Sequence, residues 1–339
     1  MIWDSTWRFG ANFYPSTAIN QLEMWQKETF DPETIDRELG FAESIGMTLM
    51  RIYLHDLAFE QEPEGFLQRL ECCLAIAGRH GIKVMPVFFD DCWNSEFSIG
   101  RQPAPIPFTH NSGWIQSPGN TVADDPSQWG RLERYVKTVL ERFGSDRRVL
   151  LWDLYNEPGN GETGDHMEDD RLRIDRSLPL LRKVFCWARE IGPQQPLTAG
   201  VWRFSDDFAG INRFLYDQSD VVSFHSYEPP EQLRKTVVAV RAEADGRPVL
   251  CSEYMARTAG STFAGCLPIL RKYRIDAVNW GLVNGKSQTI YPWRWNESKG
   301  VPEQWFHDVF QPDGSLLYEE ECSVFHSMSE DKNKNTNNL

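Results

Sequence analysis

Short apolar runs recur along this 339-residue chain at regular intervals, each bounded by turn residues, and this repetition limits what it can fold into. Eight such runs read as strands: 7–13, 48–54, 83–90, 150–156, 196–202, 221–227, 248–254 and 277–283. They are rich in Val, Ile, Leu and aromatic residues without strict alternation, the pattern of strands covered on both faces. Helical patterns lie between them. Asp31-Pro32 is a helix cap followed by proline at the first helical position, and Gly46 stands just past that helix. A helix over 66–80 stops at Gly81, and one opened by Asp125-Pro126 stops at Gly144. Further helices are predicted over 171–190, 206–217, 230–244 and 262–273. Strand and helix alternating eight times predict an α/β fold, a single (β/α)8 barrel, with a doubly wound open sheet as the other arrangement. The barrel is expected over 1–326, followed by a polar, disordered tail over 327–339.

Charge and composition narrow the partners. The formal net charge of −14 argues against nucleic acid and anionic membranes, and no apolar run is long enough to span a bilayer. Thirteen Trp residues exceed what packing usually asks for, and their faces suit sugar rings. Seven cysteines with no C-x-x-C pair read as reduced thiols. The start MIWDSTWRFG lacks a signal-peptide pattern, which places the chain in the cytoplasm unless it was trimmed. The histidines show no metal-ligand spacing. Gly159 to Gly164 fits G-x-G-x-x-G, but the acidic run that follows would repel a dinucleotide. Neither metal nor cofactor is expected, and oligomeric state is left open.

In a barrel, chemistry sits at the C-terminal strand ends. Those ends carry Asn12, Arg51 to His55, Asp90-Asp91, Asn156-Glu157, Trp202, His225 with Tyr227, Glu253 and Trp280. Glu157 and Glu253 each follow an apolar strand, the fourth and the seventh, which face one another across the barrel. Two carboxylates so placed suit glycosidic bond cleavage, one as acid and one as nucleophile. An Arg close to Glu253 would hold it ionised, while Glu157 would need a drier or more negative setting to stay protonated. The 91–124 segment, with Trp93, Phe108 and Trp114, is expected to overhang this end.

Asn156-Glu157-Pro158 after an apolar strand, with Ser252-Glu253-Tyr254 about one hundred residues later, resembles clan A of the glycoside hydrolases, and the cellulase-like family 5 within it. The resemblance spans essentially the whole chain. It implies a β-glycosidase or endo-β-glycanase that retains configuration, with Glu157 as acid/base and Glu253 as nucleophile. It implies that Arg51 supports the nucleophile, that Asn156 binds the sugar 2-hydroxyl, that His225 and Tyr227 form the sixth-strand pair, and that Trp280 lies under the sugar. At the third strand the chain departs from the family pattern, with FFDDCWN in place of a histidine; Asp90 or Asp91 stands where that contact is made. Trp93 and Trp202 are further candidates for sugar contact. The expected partner is a carbohydrate substrate, its sugar and linkage left open. A transglycosylase would use the same residues, and a non-catalytic carbohydrate-binding barrel would have lost one carboxylate.

Overall fold

The computed structural model describes residues 3–4, 6–161 and 170–329. Eight parallel strands form one sheet: β1 Phe9–Asn12, β2 Leu49–Tyr53, β3 Lys83–Asp90, β4 Trp152–Asn156, β5 Leu197–Thr198, β6 Val222–His225, β7 Val249–Glu253 and β8 Asp276–Trp280. Their order is β5-β4-β3-β2-β1-β8-β7-β6. A parallel bridge between Val201 and Phe224 joins the two ends, so the sheet closes into the expected (β/α)8 barrel. The open-sheet alternative is excluded. The fifth strand is shorter than the predicted 196–202 because only Leu197 and Thr198 pair with β4 before the chain turns to that bridge.

Helix signals were legible where side-chain chemistry is local. Asp31 accepts a hydrogen bond from Thr34 N at the start of the Pro32–Ser44 helix, and Gly46 takes a left-handed φ of 81° just past its end. The Pro63–Arg79 helix is followed by Gly81 at φ 68°. The helix Glu321–Ser329 runs past the expected boundary at 326, because Phe325 buries itself against Phe9 and Phe263. Residues 162–169 and 330–339 lie outside the described residues, and with them most of the glycine-rich run and of the tail expected to be disordered.

The barrel interior is layered. At the N-terminal end Leu49, Met85, Leu151, Val221, Leu250 and Val278 form an apolar plug. Above it Arg51, fully buried, reaches across the lumen to Asp153 (2.9 and 2.8 Å), Asn156 Oδ1 (2.7 Å), Asn12 Oδ1 (2.8 Å) and Glu253 Oε1 (2.9 Å). One guanidinium therefore ties β2 to β1, β4 and β7. A buried charge is tolerated only when paired and hydrogen-bonded. Asp153→Ala should accordingly lower stability by about 3–5 kcal/mol in urea unfolding, the range for breaking a buried ion pair; a loss below about 1 kcal/mol would contradict the role given to this pair.

Candidate active site

Backbone geometry at three strand ends aims the key side chains. After β4, Glu157 takes a left-handed φ of 43°, a conformation that a non-glycine residue holds only when its surroundings enforce it. Those surroundings are Asp91, which accepts from Gly159 N (2.8 Å), Tyr155 Oη (2.6 Å) and Ser177 Oγ, and so pins the turn. Burial pushes the Asp91 carboxyl up to about 6, although these donors act against it. At the end of β6 a register shift between Phe224 and His225 sets His225 opposite Glu253. The His225 ring can sit there because residue 200 is glycine: a Cβ at that position would stand 3.2 Å from Nε2.

Glu253 accepts at both oxygens. Oε1 takes Arg51 Nη1 (2.9 Å) and Tyr53 Oη (2.9 Å), and Oε2 takes Tyr227 Oη (2.7 Å). Glu157 faces it. Its Oε1 accepts from His225 Nδ1 at 2.6 Å, and its Oε2 from Cys92 Sγ at 3.1 Å and Asn160 Nδ2 at 2.5 Å. His225 Nδ1 also stands 3.5 Å from Glu253 Oε2. One oxygen of each carboxylate and a ring nitrogen of His225 all lie within 4.8 Å of one another. Desolvation pushes the Cys92 thiol far up, so it stays an S–H donor.

The protonation expected for Glu157 is not found. Burial alone would raise its carboxyl, but the hydrogen bonds from His225, Cys92 and Asn160 and the attraction of the imidazole outweigh it. They leave Glu157 below the ordinary glutamate value. The free site therefore holds this group ionised.

A cleft of about 1040 Å³ opens over these groups. It is lined by Asn156, Glu157, His225, Tyr227 and Glu253 together with Trp93, Trp202 and Trp280. Among the described residues the Trp280 ring, 6% exposed, meets Tyr14, Tyr53 and Trp114 at tilted or edge angles of 49°, 76° and 72°. Asn156 gives one amide hydrogen to Asp90 Oδ1 (2.9 Å) and points the other at Cys92 Sγ (3.3 Å), a weak acceptor that a hydroxyl could replace.

Two expected contacts lie behind the cleft wall. Asp90 is 1% exposed and is taken up by Asn156 Nδ2, Trp114 Nε1 (2.8 Å) and Cys92 N (2.9 Å). Burial drives its carboxyl up to about 7. Asp90 therefore orients Asn156 and Trp114 and does not reach into the cleft. Arg51, fully buried, likewise acts through Glu253 and Asn156. Sequence reasoning missed Cys92 and Asn160 as partners of Glu157, and His110, Asn111 and His307 as cleft residues. The DDCWN run pointed at Cys92. Asn160 lies in the glycine-rich run three residues past Glu157, whereas nothing local marked His110, Asn111 and His307, which long loops bring in.

No family model and no curated protein matches the sequence. Solved structures do share its fold. A variant of GH5_18 from Streptomyces cattleya, in complex with Manb1-4GlcNAc, superposes with a TM-score of 0.68 at 14% identity, covering 97% of this chain and 81% of that one. The exo-beta-1,4-mannosidase Op5Man5 from Opitutaceae bacterium strain TAV5 gives 0.64 at 18% identity, over 96% of this chain and 60% of that one. The endo-1,4-beta-D-mannanase from Thermotoga petrophila RKU-1 gives 0.59 at 14% identity, over 96% and 99%. The chain thus has the barrel fold of family 5 glycoside hydrolases, as the strand-end residues implied. Among the described residues no helix is long and apolar enough to cross a membrane.

His225 is the first of the contacts that keep Glu157 ionised, so His225→Ala should raise the pH at which Glu157 titrates. Carboxyl 13C NMR of the two proteins checks this; an unchanged or lowered titration midpoint would contradict the assignment.

Proposed function

We propose that this protein is a retaining β-glycoside hydrolase, in which Glu253 is the nucleophile and Glu157 the acid/base. The observation that carries the reading is the carboxylate pair: oxygens of Glu157 and Glu253 lie within 4.8 Å of one another. Retaining enzymes hold the two groups about 5–5.5 Å apart, whereas inverting ones leave room for a water at about 6.5–9.5 Å. The surroundings divide the roles. Arg51 and Tyr53 occupy Oε1 of Glu253, which leaves Oε2 to attack the anomeric carbon.

Glu253 forms a bond to the anomeric carbon as the bond to the glycosidic oxygen breaks, and that oxygen leaves with the proton of Glu157. Glu157, now a carboxylate, takes a proton from water. The water oxygen bonds to the anomeric carbon, and Glu253 departs with the electron pair of its ester bond. Since the free site holds Glu157 ionised, it must first gain a proton, and the reading places the working range on the acid side. The second amide hydrogen of Asn156 serves the sugar hydroxyl beside the reacting carbon. Trp280, Trp93 and Trp202 offer apolar faces to the pyranose. The solved structures of this fold include a mannosidase, a mannanase and a complex with Manb1-4GlcNAc, so β-mannosides are the first substrate class to test, with β-glucosides beside them. The reading needs neither metal nor cofactor.

Rescue chemistry separates the two roles. Glu253→Ala opens a space beside the anomeric carbon, so azide should attack there and give a glycosyl azide of inverted configuration. Glu157→Ala should slow hydrolysis of an unactivated glycoside by about 10²–10⁴-fold, the usual worth of general acid catalysis, while an aryl glycoside with a good leaving group still glycosylates the enzyme. Azide should then give the retained product. NMR of the two azides is the measurement. The reverse pattern would exchange the roles, and wild-type activity in both variants would refute them.

A further inference from the structure

The neighbours in fold include both an exo- and an endo-acting enzyme, so the fold leaves open which end of a glycan this site takes. The loops of this chain decide it. On one side of the cleft, the segments after β1, β3 and β8 are bonded into a single wall. Asn111 N donates to Ser287 O (3.0 Å), Gln288 Nε2 to Ile106 O (2.8 Å) and His110 Nδ1 to Tyr291 O (2.7 Å). Tyr14 and Thr289 share a hydroxyl contact of 3.1 Å, and Asn20 Nδ2 donates to Gly113 O (2.9 Å). Rings continue the wall across the barrel mouth. Trp93, His110, His307 and Tyr227 follow one another at centroid distances of 5.6, 5.3 and 5.5 Å, from the end of β3 to the end of β6. The opposite side, beyond Glu157, carries Trp202, Arg203 and the 48% exposed Phe204.

The wall also carries polar groups with nothing to bond. Asn111 is 1% exposed, yet neither its amide nitrogen nor its amide oxygen has a hydrogen-bond partner; Trp280 Nε1 and Ser226 Oγ are buried in the same condition. Buried polar groups are normally paired, and these four atoms belong to residues that line one cleft. His110 and His307 add two acceptors. Each gives its Nδ1 proton to a main-chain carbonyl, Tyr291 O or Met255 O, and burial keeps both rings neutral, so each Nε2 retains a lone pair. Donor and acceptor atoms held together in this way match the paired hydroxyls of a sugar.

Resting on the hydrolase reading, we infer that the cleft is closed at one end, so that it takes a single sugar at the non-reducing end of a glycan beyond the reacting bond, with Asn111, His110 and His307 as the residues that read its hydroxyls. The leaving group must lie on the side of Glu157, which protonates it. Position 4 of a pyranose lies across the ring from the anomeric carbon, so it points at the wall. A chain continued through that position would have to pass through bonded loop.

Reducing-end-labelled β-1,4-mannotetraose and β-1,4-glucotetraose test this, each also prepared with positions 4 and 6 of the terminal sugar blocked by a benzylidene group. The first products should be a single hexose and a labelled trisaccharide, and the blocked forms should react at least about 100-fold more slowly. Labelled biose as an early product, or blocked and free tetraoses cleaved alike, overturns the pocket while leaving the hydrolase reading intact. Failure to cleave any of these or an aryl β-mannoside or β-glucoside overturns both. Asn111→Gly, which removes the amide while suiting the left-handed φ of 49° at this position, should lower kcat/KM on the aryl glycoside by about tenfold or more with Tm little changed. A lowered Tm with unchanged kcat/KM would make Asn111 structural and overturn its assignment.

Discussion

A guanidinium buried inside the barrel sets the terms for everything above it. Arg51 has no exposure to water, and its charge is tolerated only through the Asp153 carboxylate on β4 and the Glu253 carboxylate on β7. The same fork orients Asn156 and Asn12, and Asn12 in turn donates to the carbonyls of Ser252 on β7 (2.9 Å) and Asn279 on β8 (3.1 Å). The interior therefore changes from an apolar plug to a polar lattice at the level of Arg51. The Glu253 carboxylate is part of that lattice and is held in place by it.

The two carboxylates differ because their neighbours differ. Glu253 accepts hydrogen bonds from a permanent cation and two phenols. Glu157 stands on a strained turn outside the strand and takes hydrogen bonds from an imidazole, a thiol and an amide, none of them a permanent cation. Such donors can be displaced or reoriented by a ligand more readily than a buried Arg51 pair, and this suits the acid/base role proposed for Glu157. His225, bonded to one carboxylate and 3.5 Å from the other, links their electrostatics.

How much of this could be read in advance follows from distance along the chain. Strands and helix ends were legible because their causes are local: apolar runs, the Asp31 cap, the glycines at 46 and 81. The barrel order then fixed which residues stand at the reactive end, and Glu157, Glu253, His225, Tyr227 and Trp280 do line the cleft. Asp90 shares that position but not that fate, because Trp114 and Asn156, 24 and 66 residues away, consume its oxygens. The lowering of the Glu157 carboxyl was not foreseen for a similar reason: two of its three donors, Cys92 and His225, stand 65 and 68 residues away. The polar wall of Asn111, His110 and His307 depends on loop conformation, which neither periodicity nor spacing records.

The central claim is that Glu253 bonds covalently to the sugar. A 2-deoxy-2-fluoro β-mannosyl or β-glucosyl fluoride tests it most directly, since the 2-fluorine slows both steps and the good leaving group lets the first outrun the second. The account predicts one fluorosugar per protein chain, located by peptide mass spectrometry on Glu253, with loss of activity in step with labelling. Label on another residue, or turnover of a β-glycoside to a product of inverted configuration, would contradict it.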